Sequence, residues 1–243
     1  MRARIQKRIR QSQSGFSLVE LMVTTAILVI IFAIVTQGIV KLQRRNSSET
    51  SKTDMTQQAR DFVDQSVRDI HQSGYPPARN INGAASTSVN VAAGILKIDQ
   101  YFLQFEADTD GSGTVQEEVI QLVDSAGTIG GNACPCTIQR GTVAKVAGGL
   151  GAQPAPVYYT QLGGMTNTTG AAAVPLFRYF QADGTEIPPA SLPVDNTTTA
   201  GQAIISNLRT IKMTANTQSP NRDLDTRVAP TLSLTSSARV ANQ

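Results

Sequence analysis

The sequence predicts an α+β protein in which one long amino-terminal helix precedes an antiparallel β-sheet head. Three observations lead there. Residues 21–40 carry no charge before Lys41, and about 20 apolar residues suffice for a helix to cross a bilayer. From Arg44 to Ser73 there is no proline or glycine, while Met55, Ala59, Phe62, Val63, Val67 and Ile70 recur at spacings of three and four, a helical stripe. After Tyr75 the composition turns to Gly, Ala, Ser, Thr and Asn with short alternating apolar runs. A helix followed by consecutive strands argues for α+β.

The elements divide the chain into a basic leader (1–15), an apolar half-helix (16–42), an amphipathic half-helix (43–74) and a β-rich head (75–243). The leader contains Arg2, Arg4, Lys7, Arg8 and Arg10 and no acid. Overall 21 basic residues face 18 acidic ones; without the leader the basic count falls to 16, a side-chain balance of about −2. The pI near 9.0 is thus a property of the leader. The head shows no basic stripe with interleaved aromatics, so nucleic-acid binding is not expected. A secretory signal would be cut after its apolar region. Here Gly15 precedes the apolar run, which therefore survives as an anchor. Five leading cations favour a cytoplasmic amino terminus, which places the head outside the inner membrane.

Glu20 stands alone in this apolar run. Carboxylates near the hydrocarbon core cost about 2.5–3.5 kcal/mol on insertion scales, and no basic side chain lies within a helical turn. Its partner must come from cleavage or from another chain. Two unit charges 4 Å apart attract by about 4 kcal/mol at an effective dielectric of 20, enough to offset that cost.

Further along, Arg60, Asp61, Asp64, Arg68 and Asp69 are expected on the solvated face of the second half-helix. Gly74 followed by Tyr75-Pro76-Pro77 stops the helix, giving about 85 Å from Phe16 to Ser73 at 1.5 Å per residue. Strands are expected over 94–105, 115–123, 137–146, 175–180, 204–214 and 232–240. Asp110-Gly111 and Asp183-Gly184 mark turns. Segments 147–156, 163–173 and 195–201 read as loops.

Gly15-Phe16-Ser17-Leu18-Val19-Glu20-Leu21 resembles the processing site of type IV prepilins and type II secretion pseudopilins. The resemblance implies a membrane prepilin peptidase cutting between Gly15 and Phe16, N-methylation of Phe16, and pairing of Glu20 with a neighbouring pilin's new terminal amine during assembly. It also implies a type IV pilin-like fold. Three later segments resemble PilW-type minor pilins: Asp69-Ile70-His71-Gln72-Ser73-Gly74-Tyr75 at the end of the long helix, the hairpin from Asp108 through Ile120, and Phe177-Arg178-Tyr179-Phe180-Gln181-Ala182-Asp183-Gly184. The last is shared with J-type secretion pseudopilins. Here His71 stands where that family has arginine, and Ser73 where it has alanine. The carboxyl-terminal Ala238-Arg239-Val240-Ala241-Asn242 is a loose version of the family's last strand. The implied function is a minor pilin precursor that joins major and minor pilins through the assembly machinery, at initiation or at the tip of the pilus. A J-type pseudopilin and a membrane-anchored adhesin or binding head are the alternatives.

Two constellations remain. Asp108, Asp110 and Ser112, with Gly113, resemble the opening of a calcium loop, yet Val119 occupies the position where the bidentate glutamate belongs; a hairpin turn is the competing reading, and no other cofactor is implied. Cys134 and Cys136 are the only cysteines. One intervening residue is too few for a thioredoxin-like motif, and a zinc site lacks ligands. A disulfide between the two, pairing across chains and the reduced state all stay open. With a single histidine, His71, and no phosphate-binding or dinucleotide motif, no catalytic set emerges and no enzyme is expected.

Overall fold

A computed structural model describes residues 15–77, 88–148, 152–169, 173–223 and 226–240. The leader apart from Gly15, parts of the two expected loops (149–151 and 170–172) and Ala241-Asn242 lie outside the described residues. Helix α1 runs over Leu18–Gln72. By contacts the chain divides after Ser47 into two units.

In the first unit α1 carries Leu, Ile, Val, Phe and Met around its whole circumference, and none of its most apolar stretch is buried. The few hydroxyls there are satisfied within the helix. Thr24 donates to the Glu20 carbonyl at 2.9 Å, Thr25 to the Leu21 carbonyl at 2.9 Å and Thr36 to the Phe32 carbonyl at 2.7 Å, so these threonine hydroxyls need no water.

In the second unit the remainder of α1 buries Ala59, Phe62, Val63, Ser66, Asp69 and Ile70, one stripe at spacings of three and four. The helix stops where the sequence says it should. Gly74 takes a left-handed φ of 78°, which costs glycine nothing, and its N–H donates to the Glu106 carbonyl at 2.9 Å.

Nine strands form one antiparallel sheet among the described residues: β1 Ile95–Asp99, β2 Phe102–Ala107, β3 Gln116–Val123, β4 Cys136–Ala144, β5 Val157–Met165, β6 Phe177–Gln181, β7 Val194–Asp195, β8 Leu208–Gln218 and β9 Thr231–Arg239. The order is β6-β8-β5-β4-β3-β2-β1-β7, with β9 on β8. The sheet curls until its ends meet. The Phe177 N–H of β6 donates to the Gln100 carbonyl at 3.0 Å, and the Tyr179 hydroxyl donates to the Asp99 and Phe102 carbonyls at 2.7 and 3.2 Å. Tyr179 is fully buried, and burial pushes its phenol well above the ordinary tyrosine value. Inside the curl, Phe62, Val63 and Ile70 of α1 pack with Leu103, Phe105, Ile120, Leu122, Ile138, Tyr179, Ile211 and Met213.

Several expected boundaries move. Segment 94–105 is two strands, folded at Gln100-Tyr101, where the Asp99 carboxylate caps the Gln100 N–H at 2.7 Å; no glycine or proline announces that turn. Segment 163–173 begins inside β5, a strand the Gly163-Gly164 pair concealed. Segment 195–201 contains part of β7 and the start of helix α2, Thr199–Ser206, capped by the Thr198 hydroxyl accepting from the Gly201 N–H at 3.0 Å. The strand expected over 204–214 therefore starts only at Leu208. Gly201 fits because a Cβ there would stand 1.9 Å from the Asp195 carbonyl oxygen.

Asp69 is the chief correction. It is 8 % exposed, not solvated, because it lies seven residues after Phe62 on the buried stripe. Arg140 of β4 reaches Asp69 with Nη1 at 2.5 Å and Glu118 of β3 with Nη2 at 2.5 Å, and Thr109 donates to Glu118 at 2.9 Å. On another buried site Lys145 pairs with Glu106 at 2.6 Å and donates to the Val91 carbonyl at 2.9 Å, while the Ala93 N–H also donates to Glu106 at 2.8 Å. Glu106 stands opposite Glu117 in the β2–β3 ladder, and Glu117 accepts from Gln104 at 2.7 Å.

Removing Arg140 strands two buried carboxylates, which typically costs about 3–5 kcal/mol. Arg140→Met should lose that much in urea unfolding followed by tyrosine fluorescence. The triple variant Arg140→Met, Asp69→Asn, Glu118→Gln should recover most of it. Burial, with the Glu106 charge adding to it, also holds the Glu117 carboxyl above its ordinary 4.5. A raised folded-state pKa gives stability that is complete below the unfolded value and is lost as pH climbs through the folded one. Glu117→Gln, which can keep the bond from Gln104, should therefore match the wild-type melting temperature near pH 4 and exceed it increasingly toward pH 8.

Candidate processing and assembly site

The residues singled out at the amino terminus lie at a change of backbone state. Gly15, Phe16 and Ser17 have no regular secondary structure, and α1 begins at Leu18. The Leu21 N–H donates to the Ser17 carbonyl at 3.1 Å, which makes Ser17 the residue on which the helix is founded. The Gly15–Phe16 peptide is consequently outside the helical hydrogen-bond ladder. A protease binds its substrate extended, and a peptide already bonded into a helix would first have to be unwound.

Among the described residues nothing asks for glycine at position 15. A Cβ built there meets nothing within 4 Å, and its φ lies outside the left-handed region. The residue is exposed. A glycine without a conformational or packing reason points to an external reader. Phe16 is 76 % exposed, so a large apolar side chain flanks the same peptide without being buried by the described residues.

Glu20 occupies the first turn of α1. There its charge is favoured by the partial positive charge of the unpaired N–H groups. It is exposed and forms no ion pair with another described residue. Around it Leu18, Val19, Leu21, Met22 and Val23 are all exposed, and the most apolar stretch of the helix averages a hydropathy of 2.8. The site is one ionisable group on a surface otherwise suited to lipid or to other apolar helices. Geometry brings Gly15, Phe16 and Glu20 together within about a turn.

The other candidates lie in the second unit. Cys134 and Cys136 are joined by a disulfide, with their Cα atoms 4.3 Å apart, in the connection leading into β4. Beside it the Thr128, Ala126 and Ala133 backbone groups hold the Asp124 carboxyl below the ordinary value. Asp108, Asp110 and Ser112 lie in the β2–β3 loop; among the described residues no three His, Cys, Asp or Glu side chains gather as a metal cluster. His71 is exposed on the last turn of α1.

Sequence reasoning did not single out Arg140, Glu118, Lys145 or Glu106. Isolated charges within strand patterns carry no signal of pairing, because their partners come from elements far away in sequence. Asp69 did carry one: it falls on the stripe defined by Phe62 and Ser66.

Residues 10–36 match a family model described as the prokaryotic N-terminal methylation motif. No curated protein and no solved structure gives a significant match. The matched residues include Gly15, Phe16, Glu20 and most of the apolar run. With the long helix followed by a curled antiparallel sheet, an α+β type IV pilin-like architecture, the motif supports a type IV prepilin-like structural protein, processed by prepilin peptidase and assembled with pilins.

Proposed function

We propose that this chain is a minor type IV pilin precursor of the PilW type. It is held in the inner membrane by the first half of α1, with its amino terminus cytoplasmic and its head outward. Cleavage between Gly15 and Phe16 releases the basic leader, and methylation of the Phe16 amine follows. The observation that carries this reading is the exposed, non-helical Gly15–Phe16 peptide set directly before an apolar helix bearing the lone Glu20.

The chemistry follows from the medium. Apolar helices gain no hydrophobic stabilisation by leaving lipid for one another, so close packing and polar contacts decide their association. Glu20 is the strongest such group in this segment. Cleavage creates a cation one turn away on Phe16, and in a fibre the equivalent amine of a neighbouring pilin can meet Glu20. The head remains outside to contact partner minor pilins at initiation or at the tip. A J-type secretion pseudopilin would use the same amino-terminal residues; the genes adjoining this one, for a pilus or for a secretion system, separate the two.

Amino-terminal mass analysis tests the cleavage. Peptidase-competent cells should yield a chain that starts at methylated Phe16, and peptidase-deficient cells one retaining residues 1–15. Gly15→Val should remain uncut with an unchanged circular dichroism spectrum, since that position has open space. A cut Gly15→Val chain, or an intact leader in competent cells, overturns the assignment.

Glu20→Ala separates assembly from processing. The variant should be cleaved normally yet enter sheared fibres at least about tenfold less than wild type, the factor that 1.4 kcal/mol represents. Equal incorporation would remove Glu20 from assembly.

A further inference from the structure

The loop between β2 and β3 contains a buried carboxylate oxygen that the protein leaves unsatisfied. Asp108 is 9 % exposed. Its Oδ2 accepts the Gly113 N–H at 2.9 Å, which turns the carboxylate toward its own loop. Its Oδ1 is shielded from solvent and has no hydrogen-bond partner. Buried polar oxygens are nearly always paired, and an unpaired ionised one is costly.

A second carboxylate faces the same loop. Asp110 accepts the Ser112 N–H at 2.9 Å and the Gln116 side-chain amide at 2.8 Å. The Ser112 hydroxyl and N–H, with hydrogen-bonding contacts from the Asp108 carboxyl and the Gln116 amide, hold its carboxyl below the ordinary value. Neither aspartate forms a salt bridge with a described residue. Two carboxyl groups thus approach to hydrogen-bonding reach with only neutral donors around them, an arrangement that a shared proton or a bound cation holds together. Gly113, at a φ of 82°, supplies the sharp turn between Ser112 and Thr114.

We propose that Asp108 Oδ1, Asp110 and the Ser112 hydroxyl bind a calcium ion, completed by backbone carbonyls of the loop and by water. Calcium suits this donor set because it takes six to eight oxygens in flexible geometry. The side-chain donors are two carboxylates and a hydroxyl, with neither histidine nor cysteine among them, which suits a hard, oxygen-seeking cation rather than a nitrogen- or sulfur-bound metal. Val119 replaces the bidentate glutamate of high-affinity loops, so the affinity belongs to the weak range of extracellular modules, with Kd about 10⁻⁴–10⁻³ M. The Asp108 N–H donates to the Tyr75 carbonyl at 3.0 Å. A bound ion would therefore order the join between the end of α1 and the sheet, a role independent of how the amino terminus is processed.

The test uses the full chain in detergent micelles, with thermal unfolding read by tyrosine fluorescence in EDTA and in rising calcium chloride. At tenfold Kd, in millimolar calcium, the melting temperature should be about 3–5 °C higher and should climb with the logarithm of calcium concentration, with no equal rise in magnesium chloride of matched ionic strength. Asp110→Asn should keep the wild-type melting temperature in EDTA to within about 1 °C and lose the calcium response. Asp108→Asn, which relieves the charge on the orphaned oxygen, should melt no lower in EDTA and likewise fail to respond. A flat response in the wild type, an equal shift with magnesium, or a response retained in both variants overturns the site.

Discussion

Along the first half of α1, from Leu18 to Leu42, large apolar side chains project outward on every side and are exposed among the described residues. That surface cannot persist in water. Each large aliphatic side chain left exposed forgoes about 1.5–3 kcal/mol of burial, and more than a dozen are exposed there. The segment must be solvated by lipid or by equivalent helices of other chains. Its backbone accepts this because every interior amide is bonded within the helix and its threonine hydroxyls bond back to the preceding turn. A lone carboxylate on such a surface is then a specific demand for a cation, and the positive end of the same helix satisfies it only in part.

The second half of the helix solves a different problem. Its stripe of Ala59, Phe62, Val63 and Ile70 fills the curl of the sheet, but apolar contact alone tolerates sliding. A shift of one turn, 5.4 Å along the axis, would still place aliphatic groups against the strands. It would also pull Asp69 away from Arg140 and leave Arg140 with Glu118 alone. Arg140 has two ends to its guanidinium, and each meets a carboxylate from a different element. The forked geometry that makes arginine a bidentate donor here serves three elements at once: α1, β3 and β4. Tyr179 does the corresponding task for the sheet, tying β6 to the β1–β2 turn with its hydroxyl so that the curl cannot open.

Features that depend on neighbours in sequence could be read from it. The apolar run, the stripe, Gly74 and the Asp110-Gly111 turn are local, and the helix and most strand positions follow from them. The Gly15–Phe16–Glu20 spacing is local too, which is why the motif matched over residues 10–36 is legible in the sequence. The turn at Gln100-Tyr101 was hidden because its cap is an aspartate side chain rather than a glycine. Strand β5 was hidden because Gly163 and Gly164 mimic a loop, although a Cβ on Gly164 would sit 2.3 Å from the Gln218 carbonyl oxygen, a close approach to β8 that calls for glycine. Arg140 and Lys145 were invisible for a deeper reason. A charge is expected outside unless its partner is known, and their partners lie 22 to 71 positions away.

The head buries charge beside a core drawn from a chain of modest aromatic content, 5 %. Arg140 there meets Asp69 and Glu118, and Lys145 meets Glu106, each as a buried ion pair. Such pairs contribute little net stability, because desolvation cancels much of the attraction. Their value is selectivity: any arrangement other than the native one leaves an ion buried alone, at several kcal/mol. For the apolar half of α1, the proposed assembly extends the same rule to contacts between chains. Glu20, without a partner among the described residues, makes an isolated helix less favourable than one beside a cation, so the electrostatic logic that fixes the register of the head would also bias the choice of neighbour along the apolar helix.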